Sequence, residues 1–329
     1  MSGTPFSSKL LREREDISQY LGVYVSMEEL VMLQSSHATL DLSGRRKALA
    51  AMTGAHRSAF RGRGIDFDEV RIYNPGDDVR TIDWRVTART GITHTKLFRE
   101  ERERPIYLVV DQSHSMFFGT QQAFKSVVAA RAAAKLAWAA REHGDRVGGF
   151  LFNNEVMHEI RPKEGKRGIQ QFLRLLIQFN QSLNNVQPEN PSRGAISNAL
   201  TGLNQVIKPG SLVFVISDFR SFDDITLQHL SIVSKHSDMV ALFVYDPMEE
   251  HLPPPGEYGF TDGSKSVNVH TSNREVRKNY RKRFLQHQLR LRDQLSSIAI
   301  PTIELSTEDD INLVLAEKLG VRGRGPKAR

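Results

Sequence analysis

From residue 105 onward the chain alternates short apolar runs with longer stretches in which apolar side chains recur every three to four positions. Ile106, Tyr107, Leu108, Val109 and Val110 form an unbroken apolar run, the pattern of a central parallel strand covered on both faces. Further strands are predicted over 146–152, 156–160 (paired with the one before it), 212–217, 239–245 and 298–304. A long Ala-rich helix is predicted over 121–143, with Phe124, Val127, Val128, Ala132, Leu136 and Trp138 at helical spacing. Another over 168–180 runs through Ile169, Phe172, Leu173, Leu176 and Ile177, and others occupy 195–206, 224–235, 274–296 and 310–319. The rhythm breaks at Leu252-Pro-Pro-Pro-Gly256, after which a short hairpin reaches His270. Strands alternating with helices predict an α/β fold, a Rossmann-like, doubly wound and mainly parallel sheet over 105–320.

Upstream the pattern is weaker. Residues 1–54 read as an arm of mixed charge followed by a helix that Ser26 caps, with Glu29 three positions on and Leu30, Val31 and Leu33 as its buried side. Residues 57–103 are densely charged and show little helical periodicity. A turn at Arg61-Gly-Arg-Gly64 leads to a strand over 67–73, with Phe67, Val70 and Ile72 apolar. Asn74-Pro-Gly-Asp-Asp78 is turn chemistry, and a second strand covers 93–103. Arg71, Asp77, Asp78, Arg80, Asp83, Arg89, Lys96 and Glu100, together with Trp84, are expected to lock irregular loops through buried ion pairs, the alternative being a partner-binding face. The segment 55–104 has too few apolar residues for a separate core, so it is expected to be a β-rich extension packed on the sheet. The tail 321–329 is basic and expected to be disordered.

Composition narrows the chemistry. The 329 residues are 39% hydrophobic and 25% charged, which is ordinary for a soluble globular chain. A formal net charge of +7 suggests an acidic partner, a nucleic acid or an anionic surface without choosing between them. The absence of cysteine excludes disulfides, thiolate metal sites and cysteine catalysis. No apolar run approaches a membrane span, and the N-terminus lacks the apolar block of a signal peptide, so a cytoplasmic location is expected. The helix over 274–296 carries Arg274, Arg277, Lys278, Arg281, Lys282, Arg283, Arg290 and Arg292. A solvated face is its default reading, an acidic protein ligand the second, and nucleic acid the third, since no recognised nucleic-acid fold accompanies the charge.

The candidate chemistry lies where the first core strand ends. Asp111, Ser113 and Ser115 follow the apolar run at once, and ligand sites in open α/β sheets lie at the carboxyl ends of strands. A second apolar strand, over 212–217, ends on another acid, Asp218, which could share the same rim. Carboxylates and hydroxyls suit a hard cation, Mg²⁺ or Mn²⁺. The same residue types also cap helices, and the stretch around Asp111 by itself fits either reading. His114 alternates away from the serines and is read as solvated. No Gly-x-Ser-x-Gly elbow surrounds Ser113 or Ser115, and the Gly62 and Gly64 pair lacks the strand, lysine and helix of a phosphate loop.

These residues resemble a family. Asp111-Gln-Ser-His-Ser115 is similar to the metal-ion-dependent adhesion site of von Willebrand factor A domains. Arg61-Gly-Arg-Gly-Ile-Asp-Phe67, the stretch from Glu69 to Trp84, Thr87-Ala-Arg-Thr90 and Lys96-Leu-Phe-Arg-Glu-Glu101 resemble the signature of the family called domain of unknown function 58. The resemblance covers residues 55–246. It implies a von Willebrand A-like domain whose metal is held directly by the two serines and largely through water by the acids. It also implies frequent encoding beside MoxR-type AAA+ ATPases, with a chaperone-like role in the assembly or maturation of protein complexes. One departure stands out: the adhesion site takes a threonine from a Gly-Thr stretch, which here falls at Gly194 or Ala195, with Ser192 and Ser197 the nearest hydroxyls.

The expected function is therefore non-enzymatic: a metal-dependent protein interaction module that binds an acidic protein ligand, with a MoxR-type ATPase as the favoured partner. The competing reading is a metal-dependent hydrolase or phosphoryl-transfer enzyme on the same rim. Against it stand the lack of a second metal cluster and of a placed general base among the eleven histidines.

Overall fold

A computed structural model of the chain describes residues 22–35, 40–42, 66–74, 77, 79–99, 104–183, 194–261 and 266–321. The expectations for residues 1–21, for Arg61-Gly-Arg-Gly64, Asp78, Glu100 and Ser192, and for the tail beyond Val321 lie outside the described residues. The chain divides into two compact units, one of Met1–Arg57 with Pro105–Arg329 and one of Ser58–Arg104, and each is described by itself.

The larger unit begins with α1 (Met27–Met32), which Ser26 caps by accepting from the Glu29 N–H at 3.1 Å. In the smaller unit β1 (Asp66–Ile72) is followed by α2 (Trp84–Thr90) and by β2 (His94–Arg99), which pairs antiparallel with β1. The short helix α2 was not visible as periodicity. It forms because Asp83 accepts from the N–H groups of Arg85 and Val86, while Gly91 closes the other end at φ 69°. Of the expected buried pairs, Arg71 and Asp77 meet at 2.7 Å and are partly exposed, while Asp78, Glu100 and the side chains of Arg80 and Lys96 lie outside what is described. The Asn74 N–H holds the Asp77 carboxyl below the usual carboxylate range, against a small burial penalty and helped by Arg71. Trp84, expected to lock the loops, is 69% exposed.

In the larger unit the chain continues with β3 (Pro105–Asp111), α3 (Lys125–Glu142), β4 (Arg146–Phe152), β5 (Met157–Lys163) and α4 (Gly165–Ser182). Then come α5 (Ala195–Val206), β6 (Leu212–Ser217), α6 (Asp224–Ser234), β7 (Asp238–Tyr245) and the one-turn α7 (Pro247–Glu250). A hairpin of β8 (Glu257–Thr261) and β9 (Ser266–His270) precedes the long α8 (Arg274–Ser297), β10 (Thr302–Ser306) and α9 (Ile311–Leu319). Among the described residues the central sheet has six strands in the order β10-β7-β6-β3-β4-β5. All neighbours are parallel except β5, which is antiparallel to β4.

Both faces of this sheet are covered, as the unbroken apolar strands demand. One face, with Leu108, Val110, Phe214 and Leu242, packs under α3, α4, α9 and α1. The other, with Tyr107, Val109, Val215 and Phe243, packs under α5, α6 and the second half of α8. Strands β3 and β4 lie so close that a Cβ on Gly149 would stand 2.0 Å from the Leu108 carbonyl oxygen, so only glycine fits there. Helix α3 is buried over nearly its whole length because alanine lets it nestle between the sheet and other helices. Its Trp138 Nε1 donates to the Leu30 carbonyl at 2.8 Å. Leu30 is therefore core, whereas Val31, expected beside it, is 36% exposed. Val25 is buried too and donates its N–H to Asn180 Oδ1 at 2.9 Å, so the chain just before α1 belongs to the core rather than to an arm. The last strand starts at Thr302, not 298: α8 runs on to Ser297, and the chain reverses through Ala299 at φ 58°.

Candidate functional site

The sheet order puts the switch point between β3 and β6. From β3 the chain crosses to β4 on one side, and β6 lies on the other. At such a point the two strand ends splay and leave a crevice at their carboxyl ends. Val110 of β3 pairs with Ile216 of β6, so Asp111 and Ser217 emerge side by side.

Ser217 Oγ donates to Asp111 Oδ2 at 2.5 Å, and the Ser113 N–H donates to Asp111 Oδ1 at 2.8 Å. The second bond folds the chain back over the carboxylate and brings the Ser113 and Ser115 hydroxyls to 3.2 Å from each other. Asp111, Ser113 and Ser115 thus gather as expected. Asp111 is 5% exposed, and among the described residues no lysine or arginine pairs with it. Burial and then the charge of Asp218 push its pKa up to about 6, against the opposing pull of the Ser217 and Ser113 donors. A carboxylate in this state is short of positive charge.

Asp218 is close enough to act on Asp111 but its oxygens are committed elsewhere. Lys125, the first residue of α3 and fully buried, donates from Nζ to Asp218 Oδ2 at 2.8 Å and to Glu249 Oε1 at 2.8 Å. The Arg220 N–H donates to Asp218 Oδ1 at 3.1 Å. Burial alone would raise the Asp218 carboxyl, but Lys125 outweighs it and holds the group below the ordinary range. The backbone is strained at the next residue, where buried Phe219 sits at φ 50°. Its N–H is anchored on Ser217 Oγ at 2.9 Å, which fixes this sharp turn after β6.

Glu249 reaches the rim from α7, the turn that follows β7. Asp246 opens that turn with a capping box, accepting from the Met248 N–H while Glu249 accepts from the Asp246 N–H. Asp246 is itself fully buried and also accepts from the Thr120 N–H, from Thr120 Oγ1 and from Thr307 Oγ1 at 2.7 Å. It ties the loop after β3 to β7 and to the loop after β10. Neither Lys125, Glu249 nor Asp246 was expected at the site. Asp246 did carry a signal, an apolar strand ending in an acid, the same pattern that marked Asp111 and Asp218.

Of the intervening side chains, Gln112 turns into the core, donating to the Ser126 carbonyl and accepting from Asn180 Nδ2, each at 3.0 Å. His114 is half-buried rather than solvated, and its N–H donates to Asn154 Oδ1 at 2.6 Å. Where the resemblance to the adhesion site leads one to expect a threonine, the chain has Gly194 at φ 102° and then α5, whose Ser197 is buried.

A divalent cation fits one half of the rim. Asp111 and the paired hydroxyls of Ser113 and Ser115 are hard oxygen donors around a buried negative charge, the chemistry Mg²⁺ takes. Asp218 fits less well, since one oxygen is already held by an ammonium group and the other by a backbone N–H. Among the described residues no group of three acids or histidines gathers at one point.

An uncharacterized protein of Mycobacterium tuberculosis is 28% identical over 297 residues, covering 90% of this chain and 92% of its own. An uncharacterized protein of Mycobacterium bovis matches to the same extent. Among solved structures, a conserved hypothetical protein BatB from Bacteroides thetaiotaomicron matches at 14% identity and a TM-score of 0.41, covering 65% of this chain and 95% of that one. An aerotolerance-related membrane protein from Bacteroides fragilis matches at 16% identity and a TM-score of 0.39, covering 65% and 96%. Among the described residues of the present chain no helix is long and apolar enough to cross a membrane. The family model described as protein of unknown function DUF58 matches residues 69–290, and the chain belongs to that family.

Proposed function

We propose that the protein is a non-enzymatic interaction module, of von Willebrand A-like design, whose rim holds Mg²⁺ or Mn²⁺ through Asp111, Ser113 and Ser115. The observation that carries this reading is the buried Asp111 carboxylate at the switch point, free of any lysine or arginine among the described residues and flanked by two converging hydroxyls. A bound divalent cation would supply an open coordination position for an acidic side chain of another protein. Ser217 and the Ser113 N–H orient the Asp111 carboxylate. Lys125 and the Arg220 N–H occupy the two Asp218 oxygens, so Asp218 acts on the site through its charge rather than as a ligand. The resemblance to the family makes a MoxR-type AAA+ ATPase the favoured partner, in the assembly or maturation of protein complexes.

Two measurements test this. Calorimetry with Mg²⁺ and Mn²⁺ should give one binding event that Asp111→Ala abolishes while the far-UV spectrum stays unchanged. Binding of the ATPase should weaken in EDTA for the wild type and be metal-insensitive for Asp111→Ala. Equal affinity in all four conditions rules out metal-mediated recognition of this partner.

A further inference from the structure

The loop that sends Glu249 to the rim also builds one wall of a second surface. Glu250, its neighbour on α7, lies 3.3 Å from Arg281 Nη2 on α8. Between α8 and the segment Glu250-His251-Leu252 runs a groove of about 650 Å³. Its apolar lining comes from Leu252, Leu285 and Leu289, the last of these 54% exposed. Helix α8 buries only Leu291 and Leu295, both in its second half, so its first half keeps this face open among the described residues.

The cations along the groove are in different states. Arg277 is committed, donating from Nη2 to the Leu252 carbonyl at 2.9 Å and from Nη1 to the Pro253 carbonyl, so it braces the wall. Arg281 answers Glu250. Lys278 and Lys282 line the groove with no acid partner among the described residues, and they stand four residues apart on one side of the helix. Like charges at that spacing repel, and an exposed leucine beside them adds apolar surface in contact with water. A ligand with carboxylates flanking a large apolar side chain relieves both.

We propose that this groove docks an acidic amphipathic segment of a partner protein, its apolar side chains against Leu285 and Leu289 and its carboxylates on Lys278 and Lys282. Charge and shape favour a peptide over other polyanions. Glu250 in the wall opposes a continuous run of phosphates, and among the described residues no Phe, Tyr or Trp lines the groove to stack a base. A concave groove with its leucines between charged walls is not the apolar face that a helix lays on a lipid surface. The docking is independent of the rim cation and stands or falls separately from the metal reading.

The test uses the full chain and fluorescence anisotropy with a labelled synthetic peptide in which glutamates flank leucines at i and i+4. The wild type binds it, and EDTA leaves the affinity unchanged. Lys278→Glu with Lys282→Glu should weaken binding about tenfold or more, and Leu289→Ser should weaken it several-fold at unchanged helix content, since these side chains lie at the surface. Three results would overturn the proposal: no effect of the lysine reversals, equal binding of a peptide with its leucines replaced by serine, or tighter binding of a single-stranded oligonucleotide or of phosphatidylglycerol vesicles through the same residues. Loss of peptide binding in EDTA would overturn it too, by assigning the peptide to the rim.

Discussion

Lys125→Met removes the buried ammonium while keeping the aliphatic stem that packs at the start of α3. The wild-type group makes two charge-assisted bonds of 2.8 Å, to Asp218 and to Glu249, with its own side chain fully buried. Removing one partner of a buried pair costs about 3–5 kcal/mol, because the remaining charge keeps its desolvation penalty. Arg220 reaches Glu249 at 3.3 Å but is 63% exposed, so it offsets little of the loss. The pH dependence also changes sign. In the wild type the lowered Asp218 pKa contributes stability that is present above the ordinary carboxylate pKa and lost as pH falls through the lowered value. In the variant the Arg220 N–H still favours the charged form, but without Lys125 burial outweighs it, the Asp218 pKa rises, and the favourable contribution is present at low pH and lost as pH rises. The destabilisation should therefore be largest near neutrality and shrink toward about pH 5. Urea unfolding of both proteins at the two pH values measures it, and Asp218→Asn in the variant background should recover part of the loss. A deficit below about 1 kcal/mol, with no pH dependence and no recovery, would show that Lys125 is not the counter-ion of this rim.

Other perturbations address the rest of the molecule. Asp111, with its pKa pushed up to about 6, favours the folded state below the ordinary carboxylate pKa and loses that contribution as pH rises through about 6. The wild type should then lose on the order of 3 kcal/mol across that window relative to Asp111→Asn, and parallel stability curves would contradict the assignment. Leu30→Ala, at a fully buried position beneath Trp138, should cost about 2–5 kcal/mol and shift the Trp138 fluorescence. Wild-type-like stability would place α1 outside the core. Ser58–Arg104 expressed alone is expected to show no cooperative thermal transition, since its sequence holds few apolar residues for a core, and a sharp transition would make that segment autonomous.

The strands and most helices were legible because their patterns are local. Residues 146–152, 195–206 and 212–217 form the elements their apolar spacing predicted, to the residue. Failures came where local pattern met a second influence. In α1 both Leu30 and Val31 look apolar, and only packing against the core shared with α3 and α4 decides that Leu30 is inside. In α2 the run Arg85, Val86, Thr87 shows no helical stripe, and the helix depends on Asp83 and Gly91 at its ends. After α8 the apolar stretch from Ile298 reads as strand, yet the chain must first turn through Ala299 to lie beside β7.

The amino-acid sequence by itself determined that this is an α/β chain with a buried strand ending in Asp111, Ser113 and Ser115, because the alternation of apolar and polar residues fixes which faces must leave water. It also placed Asp218 at the end of a second such strand. Only the tertiary structure decided what those acids do. A lysine at the first position of a helix reads as a solvated charge, and nothing near Lys125 in the chain marks it as the partner of Asp218 and Glu249, 93 and 124 residues away. That pairing exists because β3 and β6 are neighbours and α7 closes over their ends. Strand order is a property of the whole chain, and so is the division of the rim into a neutralised half at Asp218 and a half at Asp111 short of positive charge.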